Sequence, residues 1–145
     1  MTDIPPIEKT TVLTPKFDSN GLIGAIAQDA ATGQILMFAY MNRQALEKTI
    51  RTGRVTYFSR SRGKLWTKGE QSGHSQRVEE ILVDCDQDCL VIKVSAEGGQ
   101  CHAGYRSCFY RRITGDGLEF VSEKIFDPDS VYKKIQAKPS SPGVA

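Results

Sequence analysis

The run Asp84-Cys85-Asp86-Gln87-Asp88-Cys89 sets the tightest limit on how this chain can fold. Three carboxylates within five positions repel one another unless a cation binds them. Read as extended backbone, the run turns Asp84, Asp86 and Asp88 to one face and Cys85 to the other. One short segment then offers hard oxygen ligands, which suit Mg²⁺ or Ca²⁺, and a soft thiolate, which suits Zn²⁺. An acidic turn with incidental cysteines is the plain alternative, and the run alone does not choose between them.

A second cluster is Cys101-His102-Ala103-Gly104-Tyr105-Arg106-Ser107-Cys108, with two more thiols and an imidazole beside one of them. Its spacing is not the C-x₂-C pair of a zinc ribbon or finger, which disfavours a closed structural site of standard type. Three thiolates with an open fourth position make a catalytic arrangement instead. Four thiols, counting Cys89, could equally close a structural site, and spacing leaves both open. Met1 to Pro6 has neither a basic n-region nor an apolar h-region, so we expect a cytoplasmic, reducing compartment in which disulfides are disfavoured.

The third cluster, Trp66 to His74, follows Arg60 and Arg62. A loop of this composition suits a phosphate and a ring. Lys68 would act as a point charge, Ser72 and the Gly73 backbone as donors, and Trp66 as a stacking face. A solvated basic loop over a core tryptophan accounts for the same residues.

At 145 residues, with 39% hydrophobic and 25% charged, the chain has the size and balance of one globular domain. A net charge of +2 is too small for a binder that works by neutralising phosphates, so no nucleic-acid partner is expected. No apolar run approaches the roughly 18 residues that span a bilayer.

The expected elements run as follows. Residues 1–21 form an extended arm. Strands at Leu22–Gln28 and Gln34–Tyr40 flank a turn at Asp29–Gly33. A helix over Asn42–Thr52 is capped by Asn42 and Gly53, with Met41 stapled on Leu46, and Leu46 and Ile50 on one face. Further strands are Arg54–Ser59, Val78–Asp84, Leu90–Ser95 and Phe109–Ile113, and Ser59–Gly73 is a functional loop. Asp127-Pro128 opens a short C-terminal helix with Val131 and Ile135 on one face, and residues 138–145 are a flexible tail. These give a β-rich α+β domain: a mixed, strongly curved sheet of about six strands, one central helix and a short C-terminal helix.

Taken in order, these clusters resemble the phosphoribosyl-AMP cyclohydrolase family of histidine biosynthesis, over about Phe17 to Ile113. The likeness rests on Ala25-Ile26-Ala27-Gln28-Asp29, Met37-Phe38-Ala39-Tyr40-Met41-Asn42 and Ser59-Arg60-Ser61-Arg62. It continues through Trp66, Lys68-Gly69-Glu70, Ser72-Gly73-His74 and Asp84-Cys85-Asp86. Asp88, Cys101-His102 and Arg106-Ser107-Cys108-Phe109-Tyr110-Arg111 complete it.

The resemblance implies one Zn²⁺ per subunit on Cys85, Cys101 and Cys108, and one Mg²⁺ on Asp84, Asp86 and Asp88. It also implies a homodimer whose subunits share the zinc ligands. The reaction implied is hydrolysis of the C6–N1 bond of the adenine ring in 1-(5-phosphoribosyl)-AMP, a small-molecule nucleotide. His102 is the first candidate for the base and His74 the second. Arg60, Arg62, Trp66, Lys68, Ser72 and Gly73 would contact substrate. A structural zinc module, a nucleic-acid module and a deaminase are the competing readings.

Overall fold

The computed structural model describes residues 3–70 and 72–129. Strands β1 (Ile23–Asp29) and β2 (Ile35–Met41) form the expected hairpin. The Asp29 carboxylate closes its turn by accepting the backbone N–H of Ala31 and Thr32.

The helix α1 (Arg43–Thr52) is framed as its sequence predicts. Asn42 Oδ1 accepts the Ala45 N–H at 2.8 Å, and Gly53 takes the left-handed cap conformation at φ 73°. Met41 and Leu46 both join the core. Ile50 does not, and is 54% exposed. The buried stripe is Ala45, Leu46 and Thr49, which leaves Ile50 at its rim. Thr49 fixes that rotation, because its hydroxyl donates to Ala45 O and accepts the Thr56 N–H at the start of the next strand.

Next come β3 (Thr56–Ser59), β4 (Lys64–Thr67), β5 (Arg77–Val83) and β6 (Cys89–Ser95), then β7 (Arg111–Ile113) and β8 (Leu118–Phe120). The main sheet has the order β2-β1-β6-β5. Its central pair, β1 and β6, is parallel and its outer pairs are antiparallel, so the sheet is mixed. Every second residue of β1 and β6 is buried: Ile23, Ala25 and Ala27 beside Leu90, Ile92 and Val94. Leu36, Met41, Leu46, Val55 and Tyr57 complete the core from β2, α1 and β3.

Over the described residues the fold is strand-rich α+β with one α-helix, but its strands are arranged differently from the expected six-stranded sheet. Eight strands divide into one four-stranded sheet and two separate hairpins, β3-β4 and β7-β8. Ser59–Gly73 is not one loop. Lys64-Leu65-Trp66-Thr67 pairs with β3, and Gly63, at φ 62°, makes the turn. The basic side chains hide that strand in the sequence. The last expected strand starts two residues late, because the Cys108 and Phe109 N–H groups bond to Leu36 O and Ser107 Oγ instead. The helix from Asp127-Pro128 with Val131 and Ile135, and the tail 138–145, lie outside the described residues. No helix of the described residues is long and apolar enough to cross a membrane.

Candidate active site

The acidic run turns back on itself rather than extending. Asp84 Oδ1 accepts the Asp88 and Cys89 N–H groups at 2.9 and 3.1 Å, and Gln87 adopts a left-handed φ of 61°. The three carboxylates therefore converge through a turn and not through strand alternation, with one oxygen from each within 4.8 Å of the others. Asp88 is pushed up to about 6 by its contacts with Asp86 and Asp84. Asp84 stays below the usual carboxylate range, since burial is outweighed by hydrogen bonds from Asp88 and Cys89. Such mutual repulsion suits a divalent cation with oxygen ligands, so the donor set fits Mg²⁺.

Cys101 and Cys108 also meet. Cys101 is buried and its Sγ accepts the Ala103 N–H at 3.4 Å. Cys108 stands at the rim, open to solvent as a residue but crowded at its sulfur. Burial and then the nearby Cys101 push its thiol up to about 12. Two thiols brought this close suit a soft cation, so this pair fits part of a Zn²⁺ site.

Cys85 is not with them. It sits exposed in the acidic turn before β6, whereas Cys101 follows the other end of that strand. Seven residues of β6 hold those ends about 20 Å apart. The loops do not fold back. Cys101 N bonds to Tyr105 O and Cys108 N to Leu36 O at the far end. Among the described residues, the aspartates are the only group of three or more possible ligands that converge. Cys89 is half-buried on β6, so four thiols cannot close one site within a chain.

Lys68 and His74 lie on the thiol-pair side. Lys68 Nζ donates to Gln100 O at 2.7 Å. Burial lowers its pKa, while the neighbouring Cys108 and Cys101 oppose that shift. Gly69 makes the turn possible, with φ 91° and a hydrogen where a Cβ would strike the Ser75 backbone. Ser72 Oγ accepts the His74 N–H at 3.2 Å. The His74 imidazole lies over Gly98 and edge-on to Phe126, 5.0 Å between centroids. Its pKa is lowered by burial and by the Lys68 ammonium. His102, beside Cys101, is exposed.

The remaining expected contacts divide between two hollows. Arg60 and Trp66 line a groove of about 650 Å³ with Phe38, Tyr40 and Phe58, where the Arg60 guanidinium stands 4.3 Å from the Tyr40 ring centre. Trp66 is half-buried and packs on Tyr57, so it serves both the core and the groove. Arg62 is at the exposed β3-β4 turn. Gly73 lines a second hollow of about 450 Å³ with Arg54, Ser75 and Arg77.

Three supporting residues escaped the sequence reading. Gln87 holds the N-terminal arm: its side chain accepts the Thr14 N–H at 2.7 Å and donates to Val12 O at 3.3 Å, and its carbonyl accepts the Lys16 N–H at 2.7 Å. Gln76 and Gln100 are fully buried amides hydrogen-bonded at 3.0 Å. All three glutamines stand among polar or glycine neighbours, and sequence alone does not tell a buried amide from an exposed one.

With this geometry in place, comparison with known proteins is informative. The family model described as phosphoribosyl-AMP cyclohydrolase matches residues 37–110. A phosphoribosyl-AMP cyclohydrolase of Methanococcoides burtonii is 66% identical over 119 residues, covering 82% of this chain and 96% of that protein. One of Hyphomonas neptunium is 57% identical over 129 residues, covering 85% and 98%. One of Methanothermobacter thermautotrophicus is 60% identical over 125 residues, covering 83% and 91%.

Proposed function

The chain belongs to the phosphoribosyl-AMP cyclohydrolase family and is a hydrolase, and we propose that it opens the adenine ring of 1-(5-phosphoribosyl)-AMP at the C6–N1 bond, a step of L-histidine biosynthesis. The observation that carries this reading is the Cys101–Cys108 pair, flanked by the Lys68 ammonium and within one loop of both histidines. Cys85, Cys101 and Cys108 would hold one Zn²⁺ per subunit, and Asp84, Asp86 and Asp88 one Mg²⁺. Bound by three thiolates, zinc supplies a Lewis acid that brings the pKa of water toward 7.

The chain's own groups do the rest. His102, next to Cys101, accepts the proton of the attacking water, with His74 as the alternative. The water oxygen bonds to C6, the C6–N1 bond breaks, and N1 leaves with a proton. The exocyclic nitrogen stays on the new carboxamide, so no ammonia forms, unlike a deamination at the same carbon. Arg60, Arg62 and Lys68 neutralise phosphate charge, Trp66 offers a ring face, and Ser72 and Gly73 supply donors.

The same geometry supports a homodimer that would share its zinc ligands. Cys85 lies at the opposite end of β6 from the thiol pair, so a second copy would complete the set. The β7-β8 hairpin exposes Ile113, Leu118 and Phe120, and a partner would cover such a surface. Four free thiols suit the cytoplasm.

The test is direct. Mixed with phosphoribosyl-AMP, Zn²⁺ and Mg²⁺, the protein should change the ultraviolet absorbance of the ring without releasing ammonia. Free ammonia, or an unchanged spectrum, overturns the reading.

A further inference from the structure

The core contains a line of polar side chains with no part in the scheme above. Tyr57 donates its hydroxyl to Gln76 Oε1 at 2.7 Å, and Gln76 Nε2 donates to Gln100 Oε1 at 3.0 Å. Gln100 Nε2 donates to Glu97 O at 3.1 Å, and Gln100 O accepts Lys68 Nζ at 2.7 Å. Tyr57 and Gln76 are 0% exposed and Gln100 1%. Leucine, methionine and phenylalanine would fill the same volume with no polar atom to satisfy, so packing alone does not account for these residues.

The line has one allowed direction. The Glu97 carbonyl can only accept, so the Gln100 amino group faces it and the Gln100 oxygen faces Gln76. The Gln76 amino group therefore faces Gln100, and Tyr57 is left to donate. At the other end, Gln100 O belongs to the peptide that leads into Cys101. A single peptide plane thus receives the ammonium on one side and carries a thiol of the pair on the other.

We propose that Gln76 is a positioning residue for hydrolysis: through Gln100 it fixes the peptide that holds the Lys68 ammonium beside Cys101 and Cys108. The proposal rests on the reading that this thiol pair belongs to the active site. Lys68 ends a flexible four-carbon stem, and the Gln100 carbonyl is its hydrogen-bond anchor. Once that peptide is free to turn, the charge shifts by an ångström or more, enough to slow a reaction on the order of 10²-fold.

The experiment is a double-mutant cycle on the metal-loaded enzyme, with Gln76→Leu, Lys68→Met and both together. Gln76→Leu should lower kcat roughly 10- to 100-fold with zinc content intact, and any rise in KM should not exceed that of Lys68→Met. The double variant should be no slower than Lys68→Met alone. Losses that multiply would show that Gln76 acts by another route and overturn the proposal, as would an unchanged kcat or lost zinc in Gln76→Leu. Should Gln76→Leu fail to fold, Tyr57→Phe removes the terminal donor without changing volume, and the same cycle applies. A crystal structure of the variant is independent of activity. Lys68 Nζ should leave Gln100 O, and an ammonium still in place would refute the proposal. An inactive wild type with a displaced Lys68 would instead point to failure of the functional reading alone.

Discussion

Arg106 donates Nη2 to Asp29 Oδ2 at 2.6 Å, joining positions 77 residues apart. Its Nη1 reaches Gly98 O, also at 2.6 Å. One guanidinium thereby ties the loop between Cys101 and Cys108 to the end of β1 and to the glycine under His74.

The clasp predicts a pH-dependent stability. Asp29 is held below its usual value of 3.8, first by the hydrogen bond from Arg106, with burial opposing. A lowered carboxyl pKa adds stability in full above 3.8, and that stability is lost as the pH falls through the folded value. Asp29→Asn should therefore cost about 2 kcal/mol at pH 7, with a gap from wild type that narrows below pH 4. Urea unfolding at several pH values measures it. A gap that stays constant down to pH 3 would exclude the ion pair as its source.

Cys85→Ala, Cys101→Ala and Cys108→Ala should each abolish zinc binding and turnover. Two of these inactive proteins should restore one another when mixed. In a hybrid of Cys85→Ala with Cys108→Ala, one of the two shared sites is complete. Random reassortment should return about a quarter of wild-type activity. Mixtures of Cys101→Ala with Cys108→Ala should return none, because both lesions fall in the same half-site. Equal recovery in the two mixtures contradicts shared ligands.

The histidines should separate by kinetic signature. His102→Ala should lower kcat by roughly 10² to 10⁴ with zinc retained, and His74→Ala should chiefly raise KM. Burial and Lys68 hold His74 below 6.5, so it stays neutral to a lower pH than an ordinary histidine. If His74 is the base, the acid limb of kcat lies below 6.5 and rises toward it in Lys68→Met. A limb that vanishes in His102→Ala and ignores Lys68 assigns the base to His102.

Mg²⁺ should raise the melting temperature by relieving repulsion among Asp84, Asp86 and Asp88. Asp88→Asn should raise the metal-free melting temperature and remove most of the Mg²⁺ response. Thermal scans with and without the ion check both. A variant that still responds in full would place the cation elsewhere.

Much of this arrangement was legible in advance because local signals carried it. Asn42 and Gly53 framed the helix, and the Asp29–Gly33 turn announced the first hairpin. The metal candidates stood out because three carboxylates crowd five positions and all four thiols fall in two short clusters. What failed was non-local. The pairing of Lys64–Thr67 with β3 cannot be read from a basic stretch, and the exposure of Ile50 was settled by a bond from Thr49 to another element. Strand alternation gave the right convergence of the aspartates for the wrong reason, because the bonds of Asp84 to Asp88 and Cys89 curl the segment. The separation of Cys85 from Cys101 and Cys108 depends on the length of β6 and on which end each loop leaves, and spacing does not show either.

The anchoring of the arm by Gln87 fixes an order of assembly on the ribosome. Thr14 emerges 73 residues before the amide that receives its N–H. At about 5 to 20 residues per second, the arm waits roughly 4 to 15 s for its partner to be made. In that interval the Thr14 and Lys16 N–H groups are left to water. The earliest-made segment thus docks only after β5 has been made, and it docks on the turn that gathers the three carboxylates.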